Sequence, residues 1–130
     1  VDHFKQFNDA HGHQAGDEVL RALGTLLRLD TRVEDVPCRW GGEEFLILLP
    51  HTTFDEATAF AERVRAGIAA TVVARHLPAV TTSVGVATSE PGTSSADDLV
   101  RTADGAVYRA KSLGRFRTLF IPDDKSRQRK

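Results

Sequence analysis

The run Arg39-Trp40-Gly41-Gly42-Glu43-Glu44-Phe45 constrains this chain more than any other stretch. Two glycines and two carboxylates interrupt an apolar, strand-like sequence, with Val36-Pro37-Cys38-Arg39-Trp40 before them and Phe45-Leu46-Ile47-Leu48-Leu49 after. The pattern predicts an antiparallel hairpin whose Gly-Gly supplies the positive φ values of a two-residue turn. Such a tip is backbone without bulk, open to close approach by a ligand. The adjoining carboxylates are hard oxygen donors for Mg²⁺ or acceptors for a proton. Glycines in a hairpin and glutamates in water are also ordinary surface features, so function has to be read from the rest of the chain.

Around the hairpin the elements alternate. Gly16-Asp17 leads into a helix whose apolar residues Val19, Leu20, Leu23, Leu26 and Leu27 recur at helical spacing and stop before Asp30-Thr31. Phe54-Asp55-Glu56 opens a second helix with Ala57, Phe60, Ala61, Val64 and Ile68 on one face. Residues 71–74 and 80–87 read as strands joined by a turn at His76-Leu77-Pro78. Ser94, Ser95 or Asp97 caps a third helix with Leu99, Val100, Ala103, Val107 and Tyr108 as its buried stripe and Gly114 at its end. Residues 118–121 form a short last strand, and the polar residues 122–130 form a disordered tail. Helices mixed with a hairpin and strands give an α+β fold in one domain over residues 1–121. A length of 130 residues, with 41% hydrophobic and 27% charged, suits a single soluble core.

Composition also removes function classes. A net charge of -1 gives no basic field for a nucleic-acid backbone, so phosphate binding has to come from a local cluster. Cys38 is the only cysteine, which rules out an internal disulfide, and between Pro37 and Arg39 it reads as a small buried hydrophobe. No apolar run reaches the length of a membrane span. His11-Gly12-His13 has no partner cysteines and is not a zinc site. Val1 is not an initiating Met, which points to an excerpt of a longer polypeptide.

Gly41-Gly42-Glu43-Glu44-Phe45 resembles the signature of the GGDEF family of diguanylate cyclases in its GGEEF form. Asp2-His3-Phe4-Lys5, Asn8-Asp9, Gly12-His13, Gly16-Asp17 and Leu20 follow the family's D-x-F-K-x-x-N-D-x-x-G-H-x-x-G-D-x-x-L pattern. Thr82-Ser83-Val84-Gly85-Val86-Ala87 is similar to its S-[IV]-G-[VI]-A strand. The segment from Ala103-Asp104 through Tyr108, Ala110-Lys111 and Gly114-Arg115 is similar to its A-D-x-A-x-Y-x-A-K-x-x-G-R helix end. These motifs, in order, cover residues 2 to about 121.

The resemblance implies a palm-like, adenylyl-cyclase-like antiparallel or mixed sheet packed by helices, with the first strand missing from this chain. It implies condensation of two GTP into cyclic di-GMP with Mg²⁺ or Mn²⁺. Glu43 and the main-chain carbonyl of Val1 would be metal ligands, and Glu44 would help take the proton from the attacking ribose 3'-hydroxyl. Asn8 and Asp17 would read guanine, a chemistry suited to an amide and a carboxylate. Lys5, Lys111 and Arg115, with main-chain N–H groups around His3 and Phe4, would hold phosphates. Arg32-Val33-Glu34-Asp35 has the spacing of the family's R-x-x-D inhibitory site, to which Arg63 would add a further arginine for bound cyclic di-GMP.

The family's metal-binding Asp two residues before Asp2 is absent, so the fragment as it stands is expected to be weak or inactive. Phe116 stands where relatives carry Asn. A homodimer of facing domains is needed for the chemistry, an upstream sensory or receiver domain is expected to bring the copies together, and no nucleic acid is involved. The domain is expected in the cytoplasm, in a parent that is either soluble or membrane-anchored. The alternative function is a non-catalytic module that senses cyclic di-GMP or GTP.

Overall fold

Helix starts in this chain are set by their caps. In the computed structural model, which describes residues 1–89 and 95–114 and the backbone of 118–120, α1 (Phe4–His11) and α2 (His13–Asp30) are separated by Gly12 alone. Gly12 sits at φ 89°, which a side chain rarely tolerates, and its N–H closes α1 on the carbonyl of Asn8. α1 was not anticipated, because Asn8-Asp9 reads locally as a turn. It is held by Phe4 and Phe7, whose rings stack with centroids 6.4 Å apart, and by His11 packed on Phe7 at 4.9 Å. α2 begins at His13, ahead of the expected Gly16-Asp17.

The hairpin follows as β1 (Val36–Arg39) and β2 (Phe45–Leu48), antiparallel with Arg39 opposite Phe45 and Val36 opposite Leu48. Phe45 and Ile47 pack on the core, so Val36 and Cys38 belong to the outward face. Cys38 is therefore exposed, not the buried hydrophobe expected from its neighbours.

α3 (Phe54–Ala74) opens on a capping box in which the Thr53 hydroxyl accepts from the Glu56 N–H and the Glu56 carboxylate accepts from the Thr53 N–H. It runs through residues 71–74, overturning the strand expected there. Thr71-Val72-Val73 is β-branched, but Val72 continues the buried stripe of Val64 and Ile68 by one more turn. Thr71 also donates its hydroxyl to the Gly67 carbonyl four residues back.

The next expected strand, 80–87, narrows to β3 (Val84–Val86). Residues before it bond instead to the start of the chain. The Asp2 N–H donates to the Thr81 carbonyl at 2.9 Å, and the buried Asp2 carboxylate accepts from the hydroxyls of Thr81 and Ser83, each at 2.7 Å.

α4 (Ala96–Ser112) is capped by Ser95, whose hydroxyl accepts from the Asp98 N–H. Ala106 and Ala110 are its fully buried residues, and Tyr108, expected in the stripe, is exposed. Small residues are needed there because α4 lies directly on β3. A Cβ on Gly85 would fall 2.2 Å from the Ala103 carbonyl oxygen and 2.7 Å from the Val107 nitrogen. β4 (Thr118–Phe120) pairs parallel with β3.

The fold is α+β, as expected, with helices packed on strands. The described strands form two separate pairs, β1-β2 and β3-β4. The core lies between α2 and α3, where Val19, Leu23, Leu27, Phe60, Val64, Ile68 and Val72 interlock, with Phe45 and Ile47 closing it from the hairpin. No helix among the described residues is long and apolar enough to cross a membrane. Ser94, Arg115, Phe116, Ile121 and the expected disordered tail at 122–130 lie outside the described residues.

Candidate functional site

The loop at the hairpin tip is built differently from the expected two-residue turn. It spans residues 40–44, and neither Gly41 nor Gly42 has a positive φ. The Glu44 carbonyl accepts from the N–H groups of both Trp40 (2.9 Å) and Gly41 (3.2 Å), which closes the loop within its own backbone. The Arg39 guanidinium reaches forward over it, Nε donating to the Gly41 carbonyl at 3.3 Å and Nη2 to the Gly42 carbonyl at 2.6 Å. Nothing lies within 4 Å of where a Cβ on Gly42 would be, so that residue is open on its side-chain side. Among the described residues, the carboxylates of Glu43 and Glu44 have no hydrogen-bond or ion-pair partner.

The chain start meets this loop. The Val1 nitrogen donates to the Glu43 carbonyl at 3.1 Å. Burial pushes the Val1 amine below its usual value of 8.0, with Asp2, Glu43 and Glu44 pulling it back up and Lys111 pushing it further down. Glu43, Glu44 and Lys111, from the last turn of α4, are thus within electrostatic reach of the Val1 nitrogen.

α1 begins beside it. Its N-cap residue His3 is left-handed (φ 52°) and no side chain caps the helix. The first N–H groups of α1, at Phe4 and Lys5, are thus left without a side-chain partner at a helix N-terminus, an arrangement that favours anions. His3 and Lys5 are exposed and Phe4 is half-buried.

Asn8 packs across the α1–α2 corner onto Gly16, the residue before Asp17. The Asn8 side chain lies against Gly16, so close that a Cβ on Gly16 would fall 1.8 Å from Asn8 Oδ1. That oxygen is buried and has no hydrogen-bond partner. Next to Gly16, Asp17 is exposed and lines an open cavity of about 330 Å³ with Leu20, Arg21, Arg39 and Phe45.

On the other side of the hairpin, Arg32, Asp35 and Arg63 line one small recess of about 30 Å³, with Phe60 and Leu49 among its walls. The Asp35 carboxylate accepts from the Arg32 N–H at 2.8 Å through Oδ2, which shapes the turn, while its buried Oδ1 has no partner. The Arg63 guanidinium stands 5.7 Å over the Phe60 ring.

Mg²⁺ takes hard oxygens in a near-octahedral shell and is commonly held by one or two carboxylates together with substrate phosphates and water. Unpartnered Glu43 and Glu44 beside the Val1 main chain fit such a shared site. No group of three His, Cys, Asp or Glu residues among the described residues forms a cage of its own.

The structure thus brings Val1 to the Glu43 carbonyl with Glu44 and Lys111 in electrostatic reach, starts α1 at Phe4 three residues on, sets Asn8 on Gly16, and lines one recess with Arg32, Asp35 and Arg63. Arg115 lies outside the described residues. Sequence reasoning missed Arg21 and Arg39, whose charges look like solvated surface. For Arg39, its place directly before the Gly41 loop was the available signal.

Comparison with known proteins identifies the family and the fold. The family profile described as "Diguanylate cyclase, GGDEF domain" matches residues 1–117. The chain is 48% identical over 119 residues to diguanylate cyclase DgcM of Escherichia coli (strain K12), covering 92% of this chain but only 28% of that protein. Among solved structures, the active GGEEF domain of a diguanylate cyclase from Vibrio cholerae matches with a TM-score of 0.85 at 34% identity, covering 92% of this chain and 77% of that one. The GGDEF domain of DgcB from Caulobacter crescentus, in complex with c-di-GMP, matches with a TM-score of 0.80 at 31% identity, covering 92% and 72%. The chain belongs to the GGDEF-domain family of diguanylate cyclases.

Proposed function

We propose that this chain is the catalytic domain of a diguanylate cyclase that joins two GTP molecules into cyclic di-GMP. The observation that carries this reading is the Asn8 Oδ1, buried without a partner over Gly16, the residue before Asp17. A buried amide oxygen without a partner is unfavourable unless a ligand donates to it, and guanine's 2-amino group is such a donor. Asp17 would accept from the remaining N–H edge of the base, and adenine offers the wrong partners at both positions.

In this reading Lys5, Lys111, Arg115 and the free N-terminus of α1 hold the triphosphate. Glu43, with the Val1 carbonyl and a further carboxylate expected before Val1, holds Mg²⁺ or Mn²⁺, which would neutralise developing charge on the phosphates. Glu44 receives the proton of the attacking ribose 3'-hydroxyl as the bond to the α-phosphorus forms and pyrophosphate leaves. Each domain holds one GTP, so two copies must face each other for either hydroxyl to reach the other's phosphate. The match to 28% of DgcM leaves room in a parent for a sensory or receiver domain that would bring two copies together. GTP supply sets the domain on the cytoplasmic side.

The separate recess supports product inhibition. Arg32 and Arg63 offer guanidinium forks, and Asp35 Oδ1 is an unused acceptor for a guanine edge. The same recess would serve a receptor without turnover, but such a receptor has no use for two unpaired carboxylates at the hairpin tip.

The test is product chromatography on the parent protein, complete at its N-terminus and dimerised. GTP but not ATP should yield the cyclic dinucleotide, and Glu43→Ala should abolish turnover with the fold intact. No product from a verified dimer, or equal use of ATP, overturns the reading. Arg32→Ala should weaken cyclic di-GMP binding by about ten- to a hundredfold in calorimetry without lowering turnover at low product.

A further inference from the structure

Apart from the bond from the Val1 nitrogen to the Glu43 carbonyl, the loop that carries Glu43 and Glu44 has little outside its own backbone to hold it in shape. Its glycines have no side chains, the two carboxylates make no hydrogen bonds among the described residues, and its internal bonds converge on the single carbonyl of Glu44. Among the described residues, the only side chain that grips it is Arg39, which donates to the consecutive carbonyls of Gly41 and Gly42. Arg39 is the last residue of β1 and pairs with Phe45, the first of β2, so its base is fixed by the ladder at the mouth of the loop. From there the planar guanidinium spans two carbonyls at once, a geometry a rigid fork supplies and a flexible ammonium does not.

Arg39 also lines the cavity that holds Asp17, Leu20, Arg21 and Phe45. One side chain therefore touches both the base-side cavity and the backbone that orients Glu43. Its N–H groups not used on the loop have no partner among the described residues.

We propose that Arg39 is a positioning residue for the condensation reaction: it clamps the Gly41–Gly42 backbone so that Glu43 and Glu44 are held in the geometry the reaction needs. This rests on the diguanylate cyclase reading above. Misplacement of reacting groups by about an ångström costs on the order of a hundredfold in rate, so loosening this clamp acts on turnover more than on ground-state binding.

Arg39→Ala and Arg39→Lys in the full-length parent protein test this with three measurements: steady-state kinetics, calorimetric affinity for a non-reacting GTP analogue, and millisecond hydrogen exchange at Trp40 and Gly41. These two amides bond to Glu44 within the loop and report its closure. Arg39→Ala should lower kcat by about ten- to a hundredfold with analogue affinity and melting temperature little changed, and should speed exchange at both amides. Arg39→Lys, which can reach one carbonyl but not fork across two, should fall between the parent and Arg39→Ala in both respects. Turnover of Arg39→Ala within about twofold of the parent, or a loss of analogue affinity as large as the loss of kcat, overturns the proposal; the second result would make Arg39 a substrate contact instead. If the parent itself forms no product, the functional reading fails. Unchanged exchange at Trp40 and Gly41 in Arg39→Ala would then still overturn the clamp.

Discussion

Gly16 is the residue whose substitution separates recognition from folding. A Cβ there would lie 1.8 Å from Asn8 Oδ1 and 3.1 Å from Phe4 Cζ, so Gly16→Ala must push the Asn8 amide out of its position. We expect the affinity for a non-reacting GTP analogue to drop by about tenfold, the worth of one lost hydrogen bond, which calorimetry would show. Gly42→Ala, with open space on its side-chain side, should leave the fold unchanged in a thermal melt. Asp2 makes the opposite case: it is buried within the fold, and Asp2→Ala strands the hydroxyls of Thr81 and Ser83. Urea unfolding should show a loss of about 1.5–3 kcal/mol. At this scale motif spacing singled out Asn8 and Asp17, and the fold packs Asn8 on Gly16, the residue before Asp17. It misread Cys38, whose outward orientation depends on which hairpin face meets the core, and it passed over Arg39, whose bonds go to the Gly41 and Gly42 carbonyls and not to a side chain.

Elements were readable where one physical signal dominated and misread where two competed. The hairpin strands, the body of α2 and the start of α3 at Phe54 follow from apolar spacing, while the Thr53–Glu56 capping box was not read. Residues 71–74 failed because β-branched Thr71-Val72-Val73 favours a strand locally, whereas the buried stripe of Ile68 and Val72 continues the helix, and packing won. α1 was hidden because its N-terminus has no capping side chain. Two substitutions test how these elements are held. Ile68→Ala, at a fully buried position between α2 and α3, should cost about 2–5 kcal/mol in chemical denaturation. Gly85→Ala sets a methyl against the backbone of α4, not against a movable side chain, and should cost about 1–3 kcal/mol or more while pushing α4 off β3.

For the molecule as a whole, Val1 and Asp2 are the joint between the two strand pairs, Val1 reaching the Glu43 carbonyl in the hairpin loop and Asp2 the segment just before β3. The bonds from Asp2 to Thr81 and Ser83 bridge separations of 79 and 81 residues. Contacts so far apart in the chain should form late, after α2 and α3 have packed locally. The corner that would take phosphate and metal should then be completed last. In a refolding time course, capture of nucleotide should lag the recovery of helical signal, and an unfinished chain would be unable to sequester GTP.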